Sequence, residues 1–203
     1  MTSSAMATTD RSEFRHILAS GTVVGAITGV SVVAFIAISR ILPAGLSRDL
    51  LESALVLAAG SAVSLLPGVR AVARTVEGIA GAAAIGLWGT VVFMAIDIVL
   101  LRPFKAYPWT WDAIGGGSSW WYLPIWWMLG TFLAWMGGML TAGRSARGEV
   151  SMAQLAIPVV AGAVVVTVAS KFLGCPAPLP AQTGAAYTAT LAALALFANA
   201  RKG

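Results

Sequence analysis

Residues 17–42 read ILASGTVVGAITGVSVVAFIAISRIL, an almost uninterrupted apolar stretch that decides the fold class of this chain. About 20 apolar residues are enough for an α-helix to cross the hydrocarbon core of a membrane. The stretch is too long for the core of a signal peptide, and the small polar residues before it do not form a cleaved leader. We therefore predict an uncleaved first transmembrane helix, preceded by a flexible cytoplasmic tail at residues 1–16.

Five more apolar runs follow, and each is close to the length that spans a membrane. They cover residues 50–69, 76–101, 120–142, 152–173 and 183–200. The second and sixth of the six runs are the weakest, because serine and alanine gain little from contact with lipid, and we expect these two helices to rest on their neighbours. The predicted fold is an all-α, polytopic integral membrane bundle of six transmembrane helices within residues 17–203.

The composition supports a membrane environment. Hydrophobic residues make up 58% of the chain and charged residues only 10%, whereas a soluble domain carries about a quarter charged residues. The net charge is +5, but the basic residues stand singly or in pairs between the apolar runs. Membrane lipid is therefore an expected partner and nucleic acid is not, because basic residues that hold helix ends at lipid headgroups explain the charge.

The distribution of basic residues predicts the orientation of the bundle. With the N-terminus inside, the inner segments hold Arg11, Arg15, Arg70, Arg74, Arg144, Arg147, Arg201 and Lys202, and the outer segments hold Arg40, Arg48, Arg102, Lys105 and Lys171. Cytoplasmic loops carry the excess of such residues. We predict that both ends lie in the cytoplasm, that the membrane is the cytoplasmic (inner) membrane of a bacterium, and that an aromatic loop at residues 102–120 lies outside.

Small residues recur at four-residue spacing in three of the runs. They are Gly21, Gly25 and Gly29 in the first, Gly78, Ala82 and Gly86 in the third, and Gly130, Ala134 and Gly138 in the fourth. Each set forms a bare stripe along a helix, which another helix can approach closely. The stripes predict either packing within this bundle or a surface for a second protein chain.

Asp97 is the acidic residue that lies deepest in an apolar run, and it has charged neighbours in sequence. Arg102, Lys105 and Asp112 follow it toward the predicted outer surface. One interpretation is a carboxylate at the membrane interface that pairs with Arg102 or Lys105. The other is a proton or cation site, because carboxylates within membranes are costly and commonly functional.

The most distinctive segment is residues 102–127, RPFKAYPWTWDAIGGGSSWWYLPIWW. Its large aromatic residues are Tyr107, Trp109, Trp111, Trp120, Trp121, Tyr122, Trp126 and Trp127. Three interpretations compete: a belt of indole rings at the headgroups with an ordered lid, a contact patch for a periplasmic domain or neighbouring subunit, and a pocket for a lipid, quinone or pigment. Because adjacent helical positions point about 100° apart, Trp126 and Trp127 cannot both face one partner in the same way.

The residues that common catalytic and metal sites need are scarce. The chain has one cysteine, Cys175, and one histidine, His16, which excludes a disulfide, a haem held by two histidines and a histidine-rich metal centre within the chain. We predict no cofactor and favour a non-catalytic protein. The leading hypothesis is an accessory or structural subunit that binds a protein partner or a second copy through its small-residue faces and aromatic loop. The alternatives are a small-solute channel or transporter, and a protein that binds a lipid, quinone or pigment.

Overall fold

A computed structural model describes residues 13–103, 122–145 and 151–200, and these form six helices without strands. The helices are α1 (Phe14–Ile41), α2 (Leu46–Arg70), α3 (Val76–Ile96), α4 (Tyr122–Ser145), α5 (Met152–Phe172) and α6 (Leu179–Ala200). A π-helical turn, Asp97–Leu101, extends α3. The predicted all-α helix bundle is confirmed.

Five of the six helices, α1 to α5, are long and apolar enough to cross a membrane. The last helix, α6, has 22 residues, which is about 33 Å of helix and also long enough, but its alanine, threonine and glutamine residues make it less apolar. It packs against α2, α4 and α5 and buries Tyr187, Leu191 and Ala195. The direction in which the bundle is inserted stays a prediction.

Two helices begin one turn earlier than the apolar runs indicate. Helix α2 begins at Leu46 rather than at residue 50, because the polar residues Ser47, Arg48 and Asp49 form its first turn. Helix α6 begins at Leu179, and Pro180 stands in its first turn. A proline is tolerated there because the first backbone N–H groups of a helix have no partner within it.

The core lies in two parts on either side of α2. Leu65 of α2, Leu140 of α4, Val159 of α5 and Leu191 of α6 belong to the larger part and are completely or almost completely buried. The smaller part joins α1, α3 and the end of α2. Helix α2 is thus the central element, and it touches all five other helices.

The small-residue stripes of α3 and α4 pack directly against each other. A Cβ atom added at Gly86 would lie 2.2 Å from the Ala134 Cβ, and one added at Gly138 would lie 2.9 Å from the Ala82 Cβ. Gly130 lies in the same way against Thr90. Positions 82, 86 and 90 therefore meet positions 138, 134 and 130, and the two helices run antiparallel.

The stripe of α1 lies against the other side of α3. Added Cβ atoms at Gly21 and Gly25 would come within 3 Å of Trp88 and Val92, and Gly29 lies beside Ile96. Gly78, the first residue of the α3 stripe, lies instead against Ala73 in the turn that joins α2 and α3. These contacts favour packing within the bundle, and a small-residue surface for a second protein chain stays a prediction.

Candidate functional site

A large cavity, partly open to the surroundings of the bundle, lies among five helices, α1, α2, α3, α4 and α6, and has a volume of about 840 Å³. Its lining comes from residues 24–28 of α1, 56–63 of α2, 86–93 of α3, 126–133 of α4 and 181–192 of α6. The lining residues lie in the middle of α1 and α2, in the second half of α3 and in the first halves of α4 and α6. The cavity therefore lies in the half of the bundle that the charge distribution places outward.

Small residues line much of this space. Gly60, Gly89 and Gly184 line it on three different helices. Helix α6 adds Ala181, Ala185 and Ala189, which follow one another at four-residue spacing and are exposed. Gly60 and Gly89 also lie close to neighbouring helices, because an added Cβ atom would lie 3.2 Å from the Tyr187 ring and 2.9 Å from Val24 Cγ1, respectively.

The polar groups of the cavity are hydroxyls that already have partners. The hydroxyls of Thr28, Thr90 and Thr188 donate to carbonyl oxygens of their own helices at 2.9–3.0 Å. The Tyr187 hydroxyl is 2.8 Å from Ser64 Oγ in the buried core. No charged side chain lines the cavity among the described residues. Such a space suits an apolar molecule better than a hydrated ion.

Two aromatic rings lie at the end of the cavity that is predicted to face outward. Phe93 and Trp126 meet edge to face, with ring centroids 6.2 Å apart at an angle of 71°. Both rings line the cavity, whereas Trp127 does not. Trp126 and Trp127 are 37% and 41% exposed, so they differ in their contacts rather than in their exposure: Trp126 packs on Phe93 in the cavity wall, and Trp127 lies outside the cavity.

The other predicted aromatic residues cannot be placed. Those that lie outside the described residues are Tyr107, Trp109, Trp111, Trp120 and Trp121. Tyr122 begins α4, but its side chain is not described. The predicted lid or contact patch at residues 102–120 therefore stays a prediction.

The buried carboxylate of Asp97 forms an ion pair with Arg102. The Arg102 Nε donates to Asp97 Oδ2 over 3.1 Å, and Asp97 is only 3% exposed. Asp97 follows Phe93 by one helical turn, so the pair lies just beyond the outer end of the cavity. The pairing with Arg102 that the interfacial interpretation expects is present. Lys105 and Asp112 lie outside the described residues.

A second buried carboxylate, Glu52, was not predicted from the sequence. It accepts hydrogen bonds from Ser39 Oγ at 2.6 Å and from Arg48 Nε at 3.1 Å, and it is 3% exposed. The cluster ties the end of α1 to the start of α2. The four-residue spacing of Arg48 and Glu52 was the signal that could have revealed it, because such positions are neighbours on a helix.

In comparisons with protein-family models, curated proteins and solved structures, nothing matches this chain. The function must therefore be inferred from the geometry of the cavity and its surroundings.

Proposed function

We propose that this chain is a membrane protein that binds an apolar, lipid-like molecule, such as a lipid, a quinone or a pigment, inside its helix bundle. The observation that supports the proposal is the cavity of about 840 Å³ among α1, α2, α3, α4 and α6. Ligand sites commonly measure about 300–1,000 Å³ and have mostly apolar walls with a few polar groups. The proposal includes a bacterial cytoplasmic membrane and no catalytic step.

Selectivity must come from shape and from the few polar and aromatic groups. A lipid tail gains no hydrophobic free energy when it moves from the bilayer into an apolar cavity, because both surroundings are equally apolar. The rings of Phe93 and Trp126 offer edge and face contacts to a ring in the ligand. The Asp97–Arg102 pair, one turn further out, offers charged hydrogen-bonding groups to a polar head. We therefore favour an amphiphile with a ring-bearing or polar head and an apolar body.

The accessory-subunit hypothesis keeps one supporting observation. Met128 and Trp135 lie two turns apart on α4 and are 73% and 47% exposed. This face could contact a protein partner or a second copy, as aromatic and methionine residues do at interfaces. Purification in mild detergent followed by measurement of the particle mass tests it. A strictly monomeric particle without a partner would remove this hypothesis.

The channel hypothesis has weaker support. The large cavity has apolar walls, and the hydroxyls in it are bonded to their own helices or to Ser64. A conducting path needs polar groups that replace the water around a solute. Solute flux through reconstituted vesicles that is lost on Asp97→Asn would favour the channel over ligand binding.

The ligand-binding proposal can be tested with a pair of matched variants on α6. Ala185 lines the cavity and Ala193 does not, although both are exposed. We expect Ala185→Phe to fill the cavity and displace the bound molecule, and Ala193→Phe to keep it. The purified proteins are compared by absorbance spectra and by mass spectrometry of organic extracts. Equal amounts of bound molecule in the two variants, or none in the natural protein, would contradict the proposal.

A further inference from the structure

A second, smaller cleft lies on a different face of α2 from the large cavity. It has a volume of about 380 Å³ and lies between the first half of α2, the second half of α5 and the start of α6. None of its lining residues belongs to the large cavity. An inference about this cleft is therefore independent of the proposed function.

The walls of the cleft are apolar and open sideways. Leu50 of α2 and Val164, Val168 and Phe172 of α5 line it, and all four are exposed. In a membrane bundle, exposed aliphatic side chains of this kind face the hydrocarbon of the bilayer. The cleft is therefore accessible to a molecule that already lies in the membrane, without passage through water.

One charged residue, Lys171, stands among the eleven that line the cleft. It lies in the last turn of α5, at the end that is predicted to face outward. Within the described ranges it forms no ion pair. An ammonium group at the end of an apolar cleft, on a long flexible side chain, can reach the headgroup layer while its stem covers apolar surface.

Ser53 provides a second polar group in the same cleft. It is 7% exposed, and its Oγ has no hydrogen-bond partner among the described residues. The other two hydroxyls of the cleft, those of Thr167 and Thr183, donate to carbonyl oxygens of their own helices at 2.8 and 2.9 Å. Because a buried hydroxyl without a partner is unfavourable, Ser53 is a natural donor for a ligand oxygen.

We propose that this cleft binds one anionic phospholipid, with an acyl chain between α2 and α5 and a phosphate oxygen on the Lys171 ammonium group. The charge selects the lipid: the cleft presents one cation and no acidic side chain, so a phosphate without a neutralising choline is preferred. Ser53 then donates to an ester oxygen of the lipid. The bound chain fills space that α2, α5 and α6 leave open.

The test uses the full chain in mild detergent and native mass spectrometry with added phosphatidylglycerol or phosphatidylcholine. We expect tighter binding of phosphatidylglycerol, and a loss of about fivefold in its affinity on Lys171→Gln, the effect expected for one lysine near an anionic headgroup. Lys171→Arg should keep the preference, because it keeps the charge. Arg74→Gln, which removes an exposed cation remote from the cleft, is the matched control.

Three outcomes would overturn the proposal. The first is equal binding of phosphatidylglycerol and phosphatidylcholine by the natural protein, which would make the cleft ordinary lipid-facing surface. The second is an unchanged preference in Lys171→Gln. A second variant, Ala54→Leu, fills the cleft without a change of charge and should weaken the binding of both lipids at this site. The third outcome that would overturn the proposal is unaltered lipid binding in this variant. Neither variant touches the large cavity, so failure here leaves the ligand proposal intact.

Discussion

Arg102 pairs with Asp97 because the backbone between them forms a π turn. The Arg102 N–H donates to the Asp97 carbonyl oxygen over 2.9 Å, five residues earlier in the chain. In a regular α-helix, positions five apart point about 140° apart, and the two side chains could not meet so directly. The wider π turn brings them to one side, with 3.1 Å between Nε and Oδ2. Single π turns often occur at functional sites, and this one lies at the outer end of the large cavity.

Removal of Arg102 should destabilise the bundle strongly. Arg102→Gln leaves the Asp97 carboxylate buried without its cation, and breaking a buried pair from one side costs about 3–5 kcal/mol. Because a quarter of the Arg102 side chain is exposed, we expect about 2–3 kcal/mol. The free energy of unfolding in mild detergent measures the effect. The double variant Asp97→Asn/Arg102→Gln should recover part of the lost free energy of unfolding, because it leaves no unpaired buried carboxylate. A double variant less stable than Arg102→Gln would contradict the prediction that the unpaired carboxylate causes the destabilisation.

The hydrogen bond from Ser39 to Glu52 should stabilise the α1–α2 contact. Ser39→Ala removes a donor from a buried carboxylate, and such charged hydrogen bonds contribute about 1.5–3 kcal/mol. Ser31→Ala is the matched control, because its hydroxyl donates only to the Ile27 carbonyl of its own helix. We expect the control to change the free energy of unfolding by less than about 0.5 kcal/mol. Equal losses in the two variants would show that the Glu52 cluster contributes nothing specific.

The glycines at helix crossings should differ sharply in their tolerance of alanine. A Cβ atom at Gly137 would lie 1.8 Å from the Ser64 carbonyl oxygen, so α2 and α4 would have to move apart. At Gly81 the nearest atom, the Ala71 Cβ, is 3.6 Å away. We expect Gly137→Ala to cost at least about 2 kcal/mol and Gly81→Ala to be neutral or slightly stabilising, because alanine favours helix. Thermal unfolding in detergent compares the two, and a milder effect at Gly137 than at Gly81 would contradict the packing.

The helices were predictable from sequence because length and apolar character act locally. Six apolar runs gave six helices, and the errors at Leu46 and Leu179 arose where polar first turns and Pro180 do not look apolar. The stripes were also visible, since a four-residue spacing forms one helix face. Which stripe meets which was not predictable, because the pairing of Gly86 with Ala134 depends on how whole helices dock.

The candidate sites were harder to predict, for physical reasons that differ from site to site. The large cavity is a property of five helices at once, and its glycines and alanines look in sequence like packing residues. Glu52 was missed because its partner Ser39 belongs to another helix and is thirteen residues away. The Asp97–Arg102 pairing was one of the expected alternatives, but the π turn that permits it has no clear sequence signal.

The last prediction uses the divergence of two adjacent tryptophans on α4, and it depends on the proposed ligand. Trp126 lines the large cavity and packs edge to face on Phe93, whereas Trp127 does not line the cavity. Trp126→Leu should weaken retention of the bound molecule by about threefold or more, which corresponds to the loss of one aromatic contact. Trp127→Leu should leave it unchanged, although it removes the same side chain one position away. The amount of molecule that stays with each purified variant after extended detergent washing measures the difference. A larger loss from Trp127→Leu would place the binding site on the outside of the bundle, because only contacts outside the cavity depend on that ring.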